Sequence, residues 1–236
     1  MDENRNGIGA RARLAATIVA LVVISGTAWA DPPTRVVRLG YESGQVSLLP
    51  AGATDWVEAT PNRPLWTGDR LWTGADARAE LQTGDAVLRL APGTDVSVTA
   101  FDDSTQQYQV TQGTLRMNVR SLDQNNTVEV DTPNLAFSIR EPGDYRVDVD
   151  ANATTVAVYR GGAEAFGTQN AYTIAAGQRV SFEGTDLGGS QPVALANGDA
   201  FDTWVGERVN LETRSTSARY VAPDVIGYQD LDSNGS

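Results

Sequence analysis

Apolar and polar residues alternate in short runs from Val36 to Phe182, and Gly, Pro, Asn or Asp separates each run from the next. In "ARAELQ", Ala77, Ala79 and Leu81 point one way while Arg78, Glu80 and Gln82 point the other. "LRMNVR" sets Leu115, Met117 and Val119 against Arg116, Asn118 and Arg120, and "TVEVD", "YRVDVD", "TTVAVY" and "QRVSF" continue the series. Strict period-two alternation predicts antiparallel strands with one face on a core and one in water. About a dozen such strands follow one another with turn residues between them. The fold class expected is therefore all-β, an antiparallel sandwich or jelly roll, with a solenoid-like stack as the alternative.

The pattern fades after Phe182. Residues 183–198, "EGTDLGGSQPVALANG", are rich in turn formers and read as a linker. Asp199 is placed to cap a short helix through about Thr213, with Phe201, Trp204 and Val205 as its apolar stripe. A helix of that length does not persist alone, so its aromatic face is expected to dock on the β domain or on a partner. The last residues read as an irregular tail, giving a β domain over 31–182, the linker, and a final segment over 199–236.

The N-terminus has a different character. Arg5, Arg11 and Arg13 precede an apolar run from Leu14 to Ile24, and the small-residue site Ala28-Trp29-Ala30 follows. A charged start, a short apolar core and an A-x-A end predict a signal peptide over 1–30, cleaved to leave Asp31, and hence a periplasmic or exported protein. An uncleaved inner-membrane anchor beginning at Leu14 is the alternative. After cleavage no stable membrane span is expected.

Composition narrows the chemistry. The chain has 236 residues, a formal net charge of −12, and no His, Cys or Lys. Nucleic acid is an unsuitable partner, because no basic run is available to replace condensed counterions. Stability must come from an apolar core without disulfides. Ser–His, Cys–His and Ser–Lys catalysis and His or thiolate zinc sites cannot be built. A carboxylate pair for sugar hydrolysis is formally available, but Glu80, Glu129 and Glu164 fall on outward strand positions and read as solvated charges. "DLDSNG" (Asp230 to Gly235) and "DVDAN" (Asp148 to Asn152) copy fragments of a calcium loop without its bidentate acid, and read as turns. No enzymatic role, cofactor or metal is expected.

The remaining features are Gly-Asp steps and tryptophans. The steps at Gly68-Asp69, Gly84-Asp85 and Gly143-Asp144 read as turns, in which Gly supplies positive φ and the carboxylate accepts from nearby N–H groups. Trp56, Trp66 and Trp72 lie around the first of these steps. With Phe201 and Trp204 they are the candidate contacts for an envelope protein, or for a glycan stacked on the indole rings.

"PLWTGDRLWTGADARAELQTGDAVLRLAPGTDVSV" resembles the start of the periplasmic domain of the ferric-citrate regulator (FecR) family. "YQVTQGTLRMNV", "VEVDTPNLAFSIREPGDYRVDV", "TTVAVYRGGAEAF" and "YTIAAGQRVSF" match the later strands of that domain in order, so the likeness runs from about Tyr41 to Phe182. Sensor-type members of the family carry a cytoplasmic helical segment and a membrane span, read a signal through an outer-membrane receptor and act on a sigma factor. Here only 13 residues precede the apolar run. The chain is more similar to exported FecR-domain proteins, which share "AFDTW"-like segments. The resemblance implies a non-enzymatic β domain that acts through protein contacts in the cell envelope, in a setting related to signal transduction; a carbohydrate- or peptidoglycan-binding module is the alternative.

Overall fold

The computed structural model describes residues 36–195, 198–215 and 220. The chain divides into Met1–Pro32 and Pro33–Ser236, and all described residues belong to the second unit. The expected leader, its cleavage site, and the "DLDSNG" segment lie outside the described residues.

Two layers of strands share one core. The first sheet runs β4 (Pro64–Leu65), β1 (Val37–Ser43), β6 (Arg78–Gln82), β7 (Ala86–Leu90), β9 (Thr105–Val119), β12 (Gly143–Val149), β13 (Ala153–Arg160), β16 (Gln178–Glu183) and β17 (Gln191–Pro192). The second runs β3 (Val57–Glu58), β2 (Val46–Leu49), β5 (Arg70–Thr73), β8 (Asp95–Phe101), β9 again, β10 (Thr127–Asp131), β11 (Ala136–Ile139), β14 (Gly162–Phe166) and β15 (Ala171–Ala175). The all-β expectation holds. The strands outnumber the expected dozen because β3, β4 and β17 are two-residue pairings too short to show alternation.

Strand β9 belongs to both layers: its residues up to Gln112 pair with β8, and those from Gly113 pair with β12. The crossing needs Gly113, which sits at φ 91° with its Cα so close to Thr94 that a Cβ would lie 2.5 Å from the Thr94 Cα. This passage also explains a departure from the all-antiparallel expectation. Strands β9 and β10 pair in parallel, Val130 opposite Tyr108. Parallel neighbours need a long crossover, and the second half of β9 with residues 120–126 supplies it through the other layer.

The inward positions meet between the sheets. Leu39, Leu81, Leu88, Leu115, Val147 and Val156 from the first sheet are buried against Leu48, Leu71, Tyr108, Val130, Phe137 and Ile174 from the second. Phe137 meets Tyr145 edge-on at 6.1 Å across the layers, and Tyr172 meets Phe182 in the same way at 5.6 Å. Residues 183–195 are attached to the domain. β17 pairs with β16, the Val193 N–H donates to the Arg179 carbonyl, and Leu187 is buried beside Gly167, where a Cβ would collide with it.

One helix follows, α1 (Ala200–Arg214). Asp199 is its N-cap: the Asp202 N–H donates to the Asp199 carboxylate at 2.8 Å, and the Asp199 N–H donates back to the Asp202 carboxylate. Among the described residues no helix is long and apolar enough to cross a membrane.

Candidate functional site

The turn between β4 and β5 is built around a buried carboxylate. Gly68 adopts φ 95° and donates its N–H to the Val98 carbonyl. Asp69 is only 4% exposed, and its two oxygens accept from the Trp66 and Ala51 N–H groups at 2.9 and 2.8 Å. The carboxylate thereby ties this turn to the loop that follows β2. On this frame Trp66 is 53% exposed and Trp56 is 42% exposed. The Arg70 guanidinium lies 5.6 Å from the centre of the Trp56 ring and is itself held by Asp95, whose carboxylate accepts from its Nε at 2.7 Å. Trp72 shares the outer face with Arg70 but is half-buried, so the three indoles do not form one open platform.

Of the other Gly-Asp steps, Gly84-Asp85 forms the expected turn without the expected positive φ, and Gly143-Asp144 does not form a turn. Gly84 is not among the positive-φ glycines; its hairpin is closed by Thr83, whose N–H donates to the Ala86 carbonyl and whose Oγ1 accepts from the Ala86 N–H. Asp85 accepts from the Ser121 hydroxyl at 2.7 Å. Gly143 and Asp144 are the first residues of β12 rather than a turn. Gly143 is required there by close approach, since a Cβ would lie 2.1 Å from the Arg160 carbonyl oxygen. Asp144 is an ion-pair partner of Arg116 at 2.8 Å.

The outward face of the first sheet is covered by α1, which docks its aromatic face on the β domain as expected and corrects the reading of Glu80 as a solvated charge. Phe201 and Trp204 are buried, with Val205, against Ala91 and Tyr41, so in this arrangement they contact the domain itself. Their rings stack at 5.6 Å, and Tyr41 meets Trp204 at 5.9 Å. Glu80, expected in water, is 0% exposed. Its carboxylate accepts from Arg89 Nε at 2.8 Å, from Gln82 Nε2 at 2.7 Å, and from Arg208 of the helix at 3.1 Å. Outward alternation was read correctly, but that side of β6 faces a helix and not solvent.

A charge network runs the length of this contact. Arg89 pairs with both Glu80 and Glu212. Further along, Arg116 Nη1 donates to Asp202 at 2.8 Å and its Nε to Asp144. Arg146 donates to Asp148 within its own strand and to Asp199 and Asp202 of the helix, each at 2.8 Å. Tyr159 lies under the Arg116 guanidinium at 3.7 Å and Tyr41 under Arg208 at 4.5 Å. Burial by itself would raise the Glu80 pKa, but the charges of Arg89 and Arg208 and the donated hydrogen bonds reverse it, and the group stays below the usual glutamate range. Glu212 moves the other way. Its burial, with the Glu80 charge adding to it, outweighs Arg89 and raises it. Arg89 is shared by the two acids, and Glu80 has Arg208 as a second cation.

The outward face of the second sheet carries the remaining acids. Gln107 Nε2 donates to Glu129 at 3.1 Å and to Asp131 at 2.9 Å, and Glu164 pairs with Arg140. Both Glu129 and Asp131 are raised by partial burial, and Glu129 further by the Asp131 charge. Beside Asp131 an open hollow of about 330 Å³ is walled by Thr132, Asn134, Phe166 and Thr168. Its polar groups are already engaged: Thr132 Oγ1 accepts from the Leu135 N–H, and Asn134 donates to the Gly184 carbonyl while accepting from Thr154. In "DVDAN", Asp150 accepts from the N–H groups of Asn152 and Ala153, which is a turn. Among the described residues no group of three or more acids is arranged to hold a metal ion.

Residues 69–164, from the buried Asp69 to Glu164 of β14, match the family model described as FecR protein. Over this stretch the chain is similar to the FecR family. The match includes Glu80, Arg89, Arg116, Asp144 and Arg146, the sheet side of the charge network, and ends well before α1. Two crystal structures of a candidate anti-sigma factor from Parabacteroides distasonis are similar at 16% and 15% identity, each with a TM-score of 0.46. The likeness covers 62% of this chain and 64% and 65% of those chains, just under two thirds of their length. No curated protein matches the chain.

Sequence reasoning missed Arg89, Arg208 and Glu212. A signal for the first was available. The two-residue loop Gly84-Asp85 folds β6 onto β7 so that Glu80 stands directly opposite Arg89, and this register follows from the loop length alone.

Proposed function

We propose that the chain is a non-enzymatic, exported FecR-type β domain that works through protein–protein contacts in the bacterial envelope, in the service of signalling. The observation that carries this reading is the pair of exposed indoles, Trp56 and Trp66, presented by loops that the buried Asp69 carboxylate locks together. Large aromatics beside an arginine are the groups that contribute most to protein interfaces, and a pre-ordered loop spares the entropy of fixing them on binding. The FecR match supports a regulatory setting. The leader-like residues 1–30 support export.

Photo-crosslinking in cells tests the proposal, with a reactive residue placed at Trp66 or Trp56. The expected result is a discrete adduct with an envelope protein, lost when the neighbouring indole is changed to Ala. Absence of any protein adduct, together with quenching of tryptophan fluorescence by peptidoglycan fragments, would replace this reading with the glycan-binding one.

A further inference from the structure

The contact between α1 and the first sheet has the composition of an interface made to open. Its apolar part is small: Phe201, Trp204 and Val205 against Ala91 and Tyr41. The rest is ionic, with Arg116 and Arg146 gripping the acidic start of the helix and Arg89 and Glu80 gripping Glu212 and Arg208 further along. Contacts of such polarity resemble those between separable partners rather than a fused core.

A buried ion pair resists opening when separation strands a charge in a dry environment. Here it does not. Each sheet arginine has a second carboxylate within the sheet: Glu80 for Arg89, Asp144 for Arg116, and Asp148 for Arg146. Asp148 is also shared with Arg179. Removal of α1 leaves these pairs intact, and it returns Asp199, Asp202, Arg208 and Glu212 to water. The uncovered face presents a row of guanidinium groups with Tyr41 and Tyr159 beside them. Such a face fits an acidic helix with aromatic residues at i and i+3, as α1 is. Arg89, Arg116, Arg146 and Tyr159 lie within the FecR match, whereas Tyr41 and α1 lie outside it.

We propose that the outward face around Arg89, Arg116 and Arg146 is a docking surface for an acidic, aromatic-bearing helix of a partner protein, that α1 fills it in cis, and that α1 leaves it as a unit to admit the partner. The surface is separate from the Trp56–Trp66 loops, and the two proposals stand or fall independently.

Two measurements on the full chain test this. In amide hydrogen exchange, α1 should exchange as one cooperative unit at least ~100-fold faster than β7, β9 and β12, because sub-global opening precedes global unfolding. Exchange of α1 only at the rate of those strands overturns the proposal. The second probe is a fluorescent peptide spanning residues 198–215. Asp202→Arg removes the carboxylate shared by Arg116 and Arg146, so this variant should bind the peptide at least ~10-fold more tightly than the wild-type chain does, since the cis helix no longer competes. Equal binding by a variant whose strands keep native exchange protection overturns the docking surface. A concentration-dependent dimer formed by the variant without peptide would make a second copy the occupant, and would overturn the assignment to a separate partner.

Discussion

Substitution of Glu80 by Gln tests the charge network where it is most deeply buried. The carboxylate is 0% exposed and accepts from Arg89, Gln82 and Arg208. Glutamine keeps the shape and one accepting oxygen, but its NH2 group must face donors, and the negative charge is lost. Removing one partner of a buried pair costs about 3–5 kcal/mol, because the other charge is left uncompensated. Arg89 retains Glu212, and Arg208 can reach water, so the low end of the range, about 3 kcal/mol, is expected. For a domain of this size each kcal/mol moves the melting midpoint by about 2–4 °C, so Glu80→Gln should melt roughly 6–12 °C below wild type at pH 7. Glu164→Gln is the control. Its pair with Arg140 is at the surface and should contribute at most about 1 kcal/mol. The sign of the pH dependence follows from the depressed Glu80 pKa: its stabilisation is complete above the ordinary glutamate value and is lost as pH falls through the lower folded value. The gap between variant and wild type should therefore be full at neutral pH and close only in acid. A double variant, Glu80→Leu with Arg89→Met, should recover part of the loss, as an apolar pair of similar volume strands no strand-borne charge. If Glu80→Gln melts within about 1 °C of wild type, the buried-pair reasoning is wrong.

Three further outcomes follow from particular residues. Gly68→Val should destabilise the domain by roughly 2–3 kcal/mol in urea melts, because φ 95° is strained for a β-branched residue and its Cβ would lie 2.8 Å from that of Ala51; Gly84→Val, without the positive φ, should cost less, and the reverse order would refute the turn geometry. Glu129→Gln should melt at or above wild type at pH 7, since a raised carboxylate favours the fold below its unfolded pKa and loses that contribution as pH rises; the difference should vanish by about pH 4, and a variant less stable at neutral pH would contradict the sign. N-terminal sequencing of exported protein should begin at Asp31, whereas recovery of an intact membrane-bound chain would favour the anchor reading.

Much of the architecture was legible in the residues. Alternation in "ARAELQ", "LRMNVR" and "YRVDVD" sorted Leu81, Leu115 and Val147 from Glu80, Arg116 and Arg146, and each pair does lie on opposite sides of its sheet. The turn at Gly68-Asp69 and the capping of α1 by Asp199 were also readable, because each depends on residues only a few positions apart. The layer change at Gly113 was not, since its cause is the approach of Thr94 from another strand. Nor was the environment of the charged face. Period-two patterning tells which side of a strand a side chain takes, and says nothing of what packs on that side. Arg208 reaches Glu80 across 128 positions of sequence, and Arg89 reaches Glu212 across 123. Only the folded chain brings α1 over β6, β7, β9 and β12, and burial beneath it is what converts a row of ordinary surface charges into a network that holds the helix.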